Sequence, residues 1–277
     1  RHIVKFSFSA ILLVFLMFFS RSISAQTWEL GGFVGSAGYM GDLNPVKPYE
    51  LNNLAFGGHV KHNIDGYWSL KFNVAHGEIE AADAKSDNPH FKSRNLSFFS
   101  PVTELSLQTE FNFFNYIPSV SRKQYSPYLF AGVGFVTFNP KTVLNGEVYE
   151  LSLYGTEGQD INNSYKKLAL SVPFGAGFKY NFAGKWSLGT EIGYRTAYTD
   201  YLDDVSGNYV PEKLVVADEP DFTDLRMNVA DRSPEVGFPR HTSGTQRGDY
   251  RKKDTYLFVG FTISYTFFTD KCPVVDN

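Results

Sequence analysis

Thr255-Tyr-Leu-Phe-Val-Gly-Phe-Thr-Ile-Ser-Tyr-Thr-Phe-Phe268 is the stretch on which the fold turns. Leu257, Val259, Phe261, Ile263, Tyr265 and Phe267 fall on one face. Gly260, Thr262, Ser264 and Thr266 fall on the other, with Tyr256 and Phe258 at the entrance. Successive side chains of a strand point to opposite faces, so this alternation is a β period. A half-buried strand of a soluble protein alternates in the same way, and repetition separates the two readings. Residues 28–37, 54–63, 68–81, 98–114, 127–138, 168–182 and 186–199 repeat the pattern, each about ten residues or longer. Eight such segments divided by turns predict an all-β, eight-stranded antiparallel transmembrane barrel, apolar towards lipid and small or polar towards the lumen.

The connections are unequal. Asp65-Gly66 is a hairpin signal, Ala183-Gly184-Lys185 is a tight turn, and 116–126 is a moderate one. The connections 38–53, 82–96, 139–165 and 200–254 are longer. Barrels of this class keep short turns in the periplasm and long loops outside, which places both mature termini in the periplasm. Pro173 cannot donate to a ladder, so a bulge or local break is expected in the sixth strand. The connection 200–254 far exceeds the roughly 15 residues of an ordinary loop and is expected to hold structure of its own, such as a short hairpin.

Arg1, His2 and Lys5 precede a mostly apolar run over 6–19, and a more polar stretch ends at Ala25. This reads as a secretory signal peptide, residues 1–25, leaving 26–277 as one outer-membrane barrel domain. A transmembrane anchor is the alternative, but the run is shorter than the roughly 20 apolar residues needed to span a bilayer. Cleavage removes Arg1, Lys5 and Arg21, taking the formal charge from −3 to −6. A mildly acidic chain is a poor partner for nucleic acid, which rewards clustered Lys and Arg. With Cys272 as the single cysteine, no internal disulfide forms. Aromatic residues make up 17% of the chain, as interfacial girdles require.

Strand parity turns Glu104, Glu110, Lys179, Glu191 and Arg195 inward, together with Glu29, Lys61 and Lys71. The interior of an eight-stranded barrel is just wide enough for side chains to fill it. Mixed charges there are expected to pair into a plug; a gated solute path is the alternative. Chemistry is sparse. His59, His62 and His76 lie on strands and His90 and His241 on loops, without zincin spacing. His76 has Gly77 and Glu78 as neighbours and reads as a girdle or lumen histidine rather than part of a hydrolase pair. No catalytic, cofactor-binding or metal-ligating set is expected. The acidic run Asp200-Tyr-Leu-Asp203-Asp204 offers carboxylates to Ca²⁺, although a solvated surface turn is the simpler expectation.

Gly41-Asp-Leu-Asn-Pro45, Pro127-Tyr-Leu-Phe-Ala-Gly-Val-Gly-Phe135, Gly155-Thr-Glu-Gly-Gln159, Pro173-Phe-Gly-Ala-Gly177 and Thr199-Asp-Tyr-Leu-Asp-Asp-Val205 occur in that order. Together they resemble the PorG-like outer-membrane barrels of the type IX secretion system of Bacteroidota, over essentially the mature chain. The resemblance implies a structural barrel, without catalytic residues, that associates with a periplasmic ring formed by a secretion lipoprotein and its partner. The last strand also resembles the outer-membrane assembly signal, with Phe258, Gly260, Ile263 and Tyr265 at matching positions, but it continues into a tail, 269–277. That tail carries Lys271 and Cys272, candidate contacts for a periplasmic partner, the thiol offering an intermolecular disulfide if it is not inert. The function expected is thus a structural part of protein secretion. The alternatives are a passive surface barrel for adhesion or small-solute passage and, further off, a lipid-modifying barrel enzyme.

Overall fold

The computed structural model describes residues 27–47, 49–161, 164–217 and 219–268. The expected signal peptide and the tail with Lys271 and Cys272 lie outside the described residues. The strands are β1 (Thr27–Met40), β2 (Leu51–Asn63), β3 (Trp68–Ala82), β4 (Ser97–Asn112), β5 (Tyr125–Phe138), β6 (Lys141–Leu144), β7 (Glu147–Glu150), β8 (Leu168–Ala183), β9 (Trp186–Ala197) and β10 (Thr255–Phe268). Eight of them pair as neighbours in the order β3-β2-β1-β10-β9-β8-β5-β4, and β3 pairs with β4 to close the ring. Every pairing is antiparallel. The opening stretch, β10, runs against β1 from Thr27↔Phe268 to Met40↔Thr255, so the two ends of the chain seal the seam. Closure leaves the ring of eight strands without a free edge, the condition for a sheet to sit in hydrocarbon.

Local chemistry sets the turns at one end. Asp65 Oδ1 accepts from the backbone N–H groups of Tyr67 and Trp68, both at 2.7 Å, and folds the β2–β3 turn back on itself. The β8–β9 turn needs φ of +58° at Gly184, which only glycine adopts freely. Pro173 acts as its missing N–H requires: the β5–β8 ladder is interrupted between Ala131↔Phe174 and Gly134↔Ser171, while the β8–β9 register continues through Pro173↔Arg195.

The outside of the barrel is apolar on all eight strands. Val34, Phe56, Phe72, Leu107, Val133, Leu170, Ile192 and Phe261 all stand exposed, Phe261 at 66%. Single exposed apolar residues are ordinary, but a belt that encircles the molecule is a lipid-facing surface. Trp28, Trp68 and Trp186 lie at the turn end, packed at tilted or edge-on angles against His62, Phe111 and Tyr265, and form an interfacial aromatic girdle. The protein is an eight-stranded outer-membrane β-barrel whose lumen carries the polar residues.

The four long connections are not simple loops. The third holds the hairpin β6–β7, joined to β4 through Phe99↔Lys141. The second holds a helix, α1 (Pro89–Arg94), started by Asn88 accepting from the His90 N–H at 2.9 Å. The fourth was expected to hold a hairpin. It holds instead a helix, α2 (Pro220–Ala230), and a single bridge between Asn208 and Gln246. Period-2 alternation reports strands only, and this segment buries scattered apolar residues such as Leu202, Val205, Leu214 and Val229 together with polar groups, without either regular period.

Candidate functional site

Towards the turn end the lumen is filled by one charge network, and towards the long connections by apolar residues such as Ala55, Val102, Val136 and Phe258. Lys61 Nζ lies 2.9 Å from Glu29 and 3.3 Å from Glu110. Lys71 lies 3.3 Å from Glu110 and 2.9 Å from Glu191, and Lys179 lies 3.2 Å from Glu110. Arg195 stands 3.7 Å from both Glu104 and Glu191. The four carboxylates and four cations are all buried and join into a formally neutral set. Glu110, reached by three lysines, is its hub. The remaining lone pairs are used as well: Tyr128 Oη donates to Glu191 at 3.1 Å, Tyr256 Oη to Glu104 at 2.5 Å, and Asn63 Nδ2 to Glu29 at 2.7 Å. Buried charges persist only when paired and hydrogen-bonded, which this arrangement achieves except at Arg195, whose Nε is buried without a hydrogen-bond partner. Glu104, Glu110, Lys179, Glu191 and Arg195 sit in this network, together with Glu29, Lys61 and Lys71. The longer Arg195 contacts make that residue a weaker tie than the lysines.

The space left among Glu29, His59, Lys61, Lys71, Glu110 and Lys179 is a cavity of ≈ 10 Å³. That is room for about one water molecule. His59 faces this lumen and contacts Ser264 Oγ at 3.3 Å, whereas His76 turns outward and contacts Thr103 Oγ1 at 2.8 Å. Neither has a carboxylate among these partners, so the arrangement of a hydrolytic triad is not met at either histidine.

Over the outer mouth the long connections fold into a polar cap around buried arginines. Arg94, placed by α1, grips Asp83 with both arms of its fork at 2.7 Å. It also donates to the carbonyl oxygens of Arg247, at 2.5 Å, and of Asp42, at 3.0 Å. Arg247 reaches Glu157 Oε1 at 2.9 Å and the Asp204 carbonyl at 2.6 Å. Through these two side chains all four outer connections are tied together. Glu157 Oε1 also accepts from the Ser206 and Gly207 N–H groups, and Thr156 Oγ1 donates to Asp204 Oδ2 at 2.5 Å. The segments Gly41–Pro45, Gly155–Gln159 and Thr199–Val205, far apart in sequence, therefore meet in one place.

The acidic run departs from the solvated turn expected of it. Asp203 and Asp204 are both buried, and Asp200 is partly so. The three do not act together: Asp200 accepts from Ser206 Oγ at 2.6 Å, Asp204 turns to Thr156, Tyr165 and Arg247, and Asp203 turns the other way. Asp203 meets Asp42 and Asp254, one carboxylate oxygen of each lying within 4.8 Å of the others. Burial, reinforced by mutual repulsion, holds Asp203 and Asp254 well above the usual carboxylate range. Asp42 is pushed up to about 7 by burial and by the charges of Asp249 and Asp200, against the N–H it accepts from Asp249. Periodicity carries no signal for this cluster, because its members come from three separate segments. The only hint is that Asp42 and Asp203 stand in two of the motifs quoted above.

Comparison of structures finds similar chains among outer-membrane barrels. The N-terminal β-barrel domain of Pseudomonas aeruginosa OprF is 11% identical, with a TM-score of 0.37, covering 87% of this chain and 97% of that one. Ail, the attachment invasion locus protein of Yersinia pestis, is 9% identical with a TM-score of 0.41, covering 88% and 100%. The outer membrane protein OprG from Pseudomonas aeruginosa is 11% identical with a TM-score of 0.38, covering 89% and 97%. A sequence comparison with curated proteins gives no match. Residues 8–213 match the family model DUF6089, described as a domain of unknown function, and the chain belongs to that family.

Proposed function

We propose that this barrel is a structural part of a protein secretion apparatus, which neither conducts solutes nor catalyses a reaction and which works through its faces. The observation that carries the reading is the lumen: a neutral, fully buried ion-pair network around a cavity of ≈ 10 Å³ leaves no path for a solute. Small-solute passage is disfavoured on that ground. What the molecule offers to others is its lipid-facing belt, its short periplasmic turns and its outer cap. The motifs resembling PorG-like barrels support type IX secretion as the apparatus, with a periplasmic ring lipoprotein and its partner as the neighbours. Lys271 and Cys272, which follow the last strand in sequence, are proposed contacts.

One observation favours a second reading. The outer connections fold into a cap around Arg94 and Arg247, as a surface that binds an external partner requires. Affinity capture of the full-length protein from outer membranes, followed by mass spectrometry, separates the two. The secretion reading expects a periplasmic lipoprotein at stoichiometric yield and impaired protein export in a deletion strain. Normal export without a recovered periplasmic partner contradicts it and leaves the surface-binding reading.

A further inference from the structure

We propose that Asp42, Asp203 and Asp254 form a calcium site that clamps the outer cap to the barrel rim. Asp42 lies in the connection after β1, Asp203 in that after β9, and Asp254 immediately precedes β10. One oxygen from each lies within 4.8 Å of the other two. Calcium binds oxygen at 2.3–2.6 Å, so ligands on opposite sides of the ion stand roughly 4.6–5.2 Å apart. Three oxygens no more than 4.8 Å apart are close enough to share such an ion. Magnesium demands near-ideal octahedral geometry and sheds its water reluctantly, so a site assembled from three separate segments suits the more adaptable calcium. An all-oxygen donor set suits these hard cations rather than zinc or copper.

A second, independent observation points to a ligand. Asp42 is 1% exposed, and its Oδ2 is buried without a hydrogen-bond partner. A buried carboxylate oxygen left bare is expensive unless something positive meets it. Among the described residues no side-chain cation forms an ion pair with Asp42, Asp203 or Asp254. The two buried arginines nearby are committed elsewhere, Arg94 to Asp83 and Arg247 to Glu157 and Asp204. Asp200 adds a fourth negative charge whose field reaches Asp42 and Asp254, and its Oδ1 is likewise buried and unpartnered.

The other oxygens are held in place, as metal ligands are by their supporting hydrogen bonds. Tyr39 Oη donates to Asp203 Oδ2 at 2.5 Å, the Val205 N–H to Asp203 Oδ1 at 2.9 Å, and the Leu202 N–H to Asp254 Oδ2 at 3.0 Å. The Asp249 N–H donates to Asp42 Oδ1. Gly41 borders the site so closely that a Cβ there would run into Tyr39 Oη and Asp254 Oδ1. The ion would join the first and fourth outer connections to the last strand, which no single ion pair in the cap does.

The phenol of Tyr39 beside Asp203 supplies a probe, because tyrosine sensitises the luminescence of bound terbium, a calcium surrogate. Purified full-length barrel in detergent, washed with chelator, is titrated with Tb³⁺ and then with Ca²⁺. The expected result is a saturable sensitised signal that Ca²⁺ displaces in the roughly 0.1–1 mM range of extracellular sites. Asp42→Asn and Asp254→Asn, each checked for folding by the barrel's circular dichroism, should weaken binding by about tenfold or more. No saturable signal in the wild type overturns the proposal without recourse to any variant, and the three carboxylates then carry protons instead. Wild-type affinity in both Asn variants places the ion elsewhere and overturns it too. Displacement by Mg²⁺ at the same concentrations as Ca²⁺ overturns the choice of calcium.

Discussion

Glu110→Leu is expected to lower the unfolding free energy of the barrel by about 3–5 kcal/mol, the range for breaking a buried ion pair by removing one partner. Glu110 is the hub of the lumen, with Lys61, Lys71 and Lys179 all within 3.3 Å of its carboxylate. Without it Lys61 keeps Glu29 and Lys71 keeps Glu191. Among the described residues Lys179 then has no ion pair; it keeps the ring faces of Tyr116 and Tyr128, at 5.1 and 4.9 Å, worth about 2 kcal/mol when desolvated, and the more distant charge of Glu29. The measurement is urea unfolding of the refolded barrel in lipid vesicles. Lys85→Ala, which breaks the surface pair with Glu80 at 3.2 Å, should shift the same curve by less than about 1 kcal/mol. Adding Lys179→Met to Glu110→Leu should recover much of the loss, since an apolar pair replaces a buried ionic one at little net cost. A Glu110→Leu loss no larger than that of Lys85→Ala contradicts the hub assignment.

Arg247→Leu should open the cap and leave the barrel standing. The change strands two buried carboxylates, Glu157 and Asp204, and removes the donor to the Asp204 carbonyl. The penalty is again about 3–5 kcal/mol, but it falls on a unit joined to the barrel by few elements, so the expected response is local opening rather than global unfolding. A loss of about 3 kcal/mol raises the open population, and with it cleavage by a protease acting on the open form, by roughly a hundredfold. Protease added to intact cells should therefore cut the variant within 139–165 and 200–254 at least that much faster than the wild type. The short turns and the barrel's circular dichroism should be unaffected. Equal cleavage rates contradict the arginine-centred cap, and cuts confined to residues 113–124 contradict the orientation.

The barrel was readable in the sequence because two elementary periods govern it. Alternation placed β10 at its observed bounds, and the same parity carried Glu191 and Arg195 to the lumen side, since a strand sends every second residue inward. Asp65-Gly66 and Ala183-Gly184-Lys185 gave turns because their chemistry is local. The cap obeys neither rule. Asp42 meets Asp203 across most of the chain, Arg94 reaches the backbone of Arg247, and α2 is short of any apolar stripe that a helical period could reveal. Contacts of that separation are set by the barrel bringing the four connections to one mouth, and a single sequence holds no measure of it. The solvated turn assigned to Asp200, Asp203 and Asp204 failed for the same reason: acidic residues suggest water until a buried arginine or a shared ion is placed beside them.

The central claim is that the lumen is sealed by its own charges, and single-channel recording tests it most directly. Purified wild-type barrel inserted into a planar bilayer in molar salt should give insertion, verified by protein recovery, without unitary conductance steps. At ≈ 10 Å³ the lumen cavity admits no hydrated ion. Steady, reproducible steps carried by the folded wild-type monomer would show a continuous aqueous path past Glu110 and contradict the account.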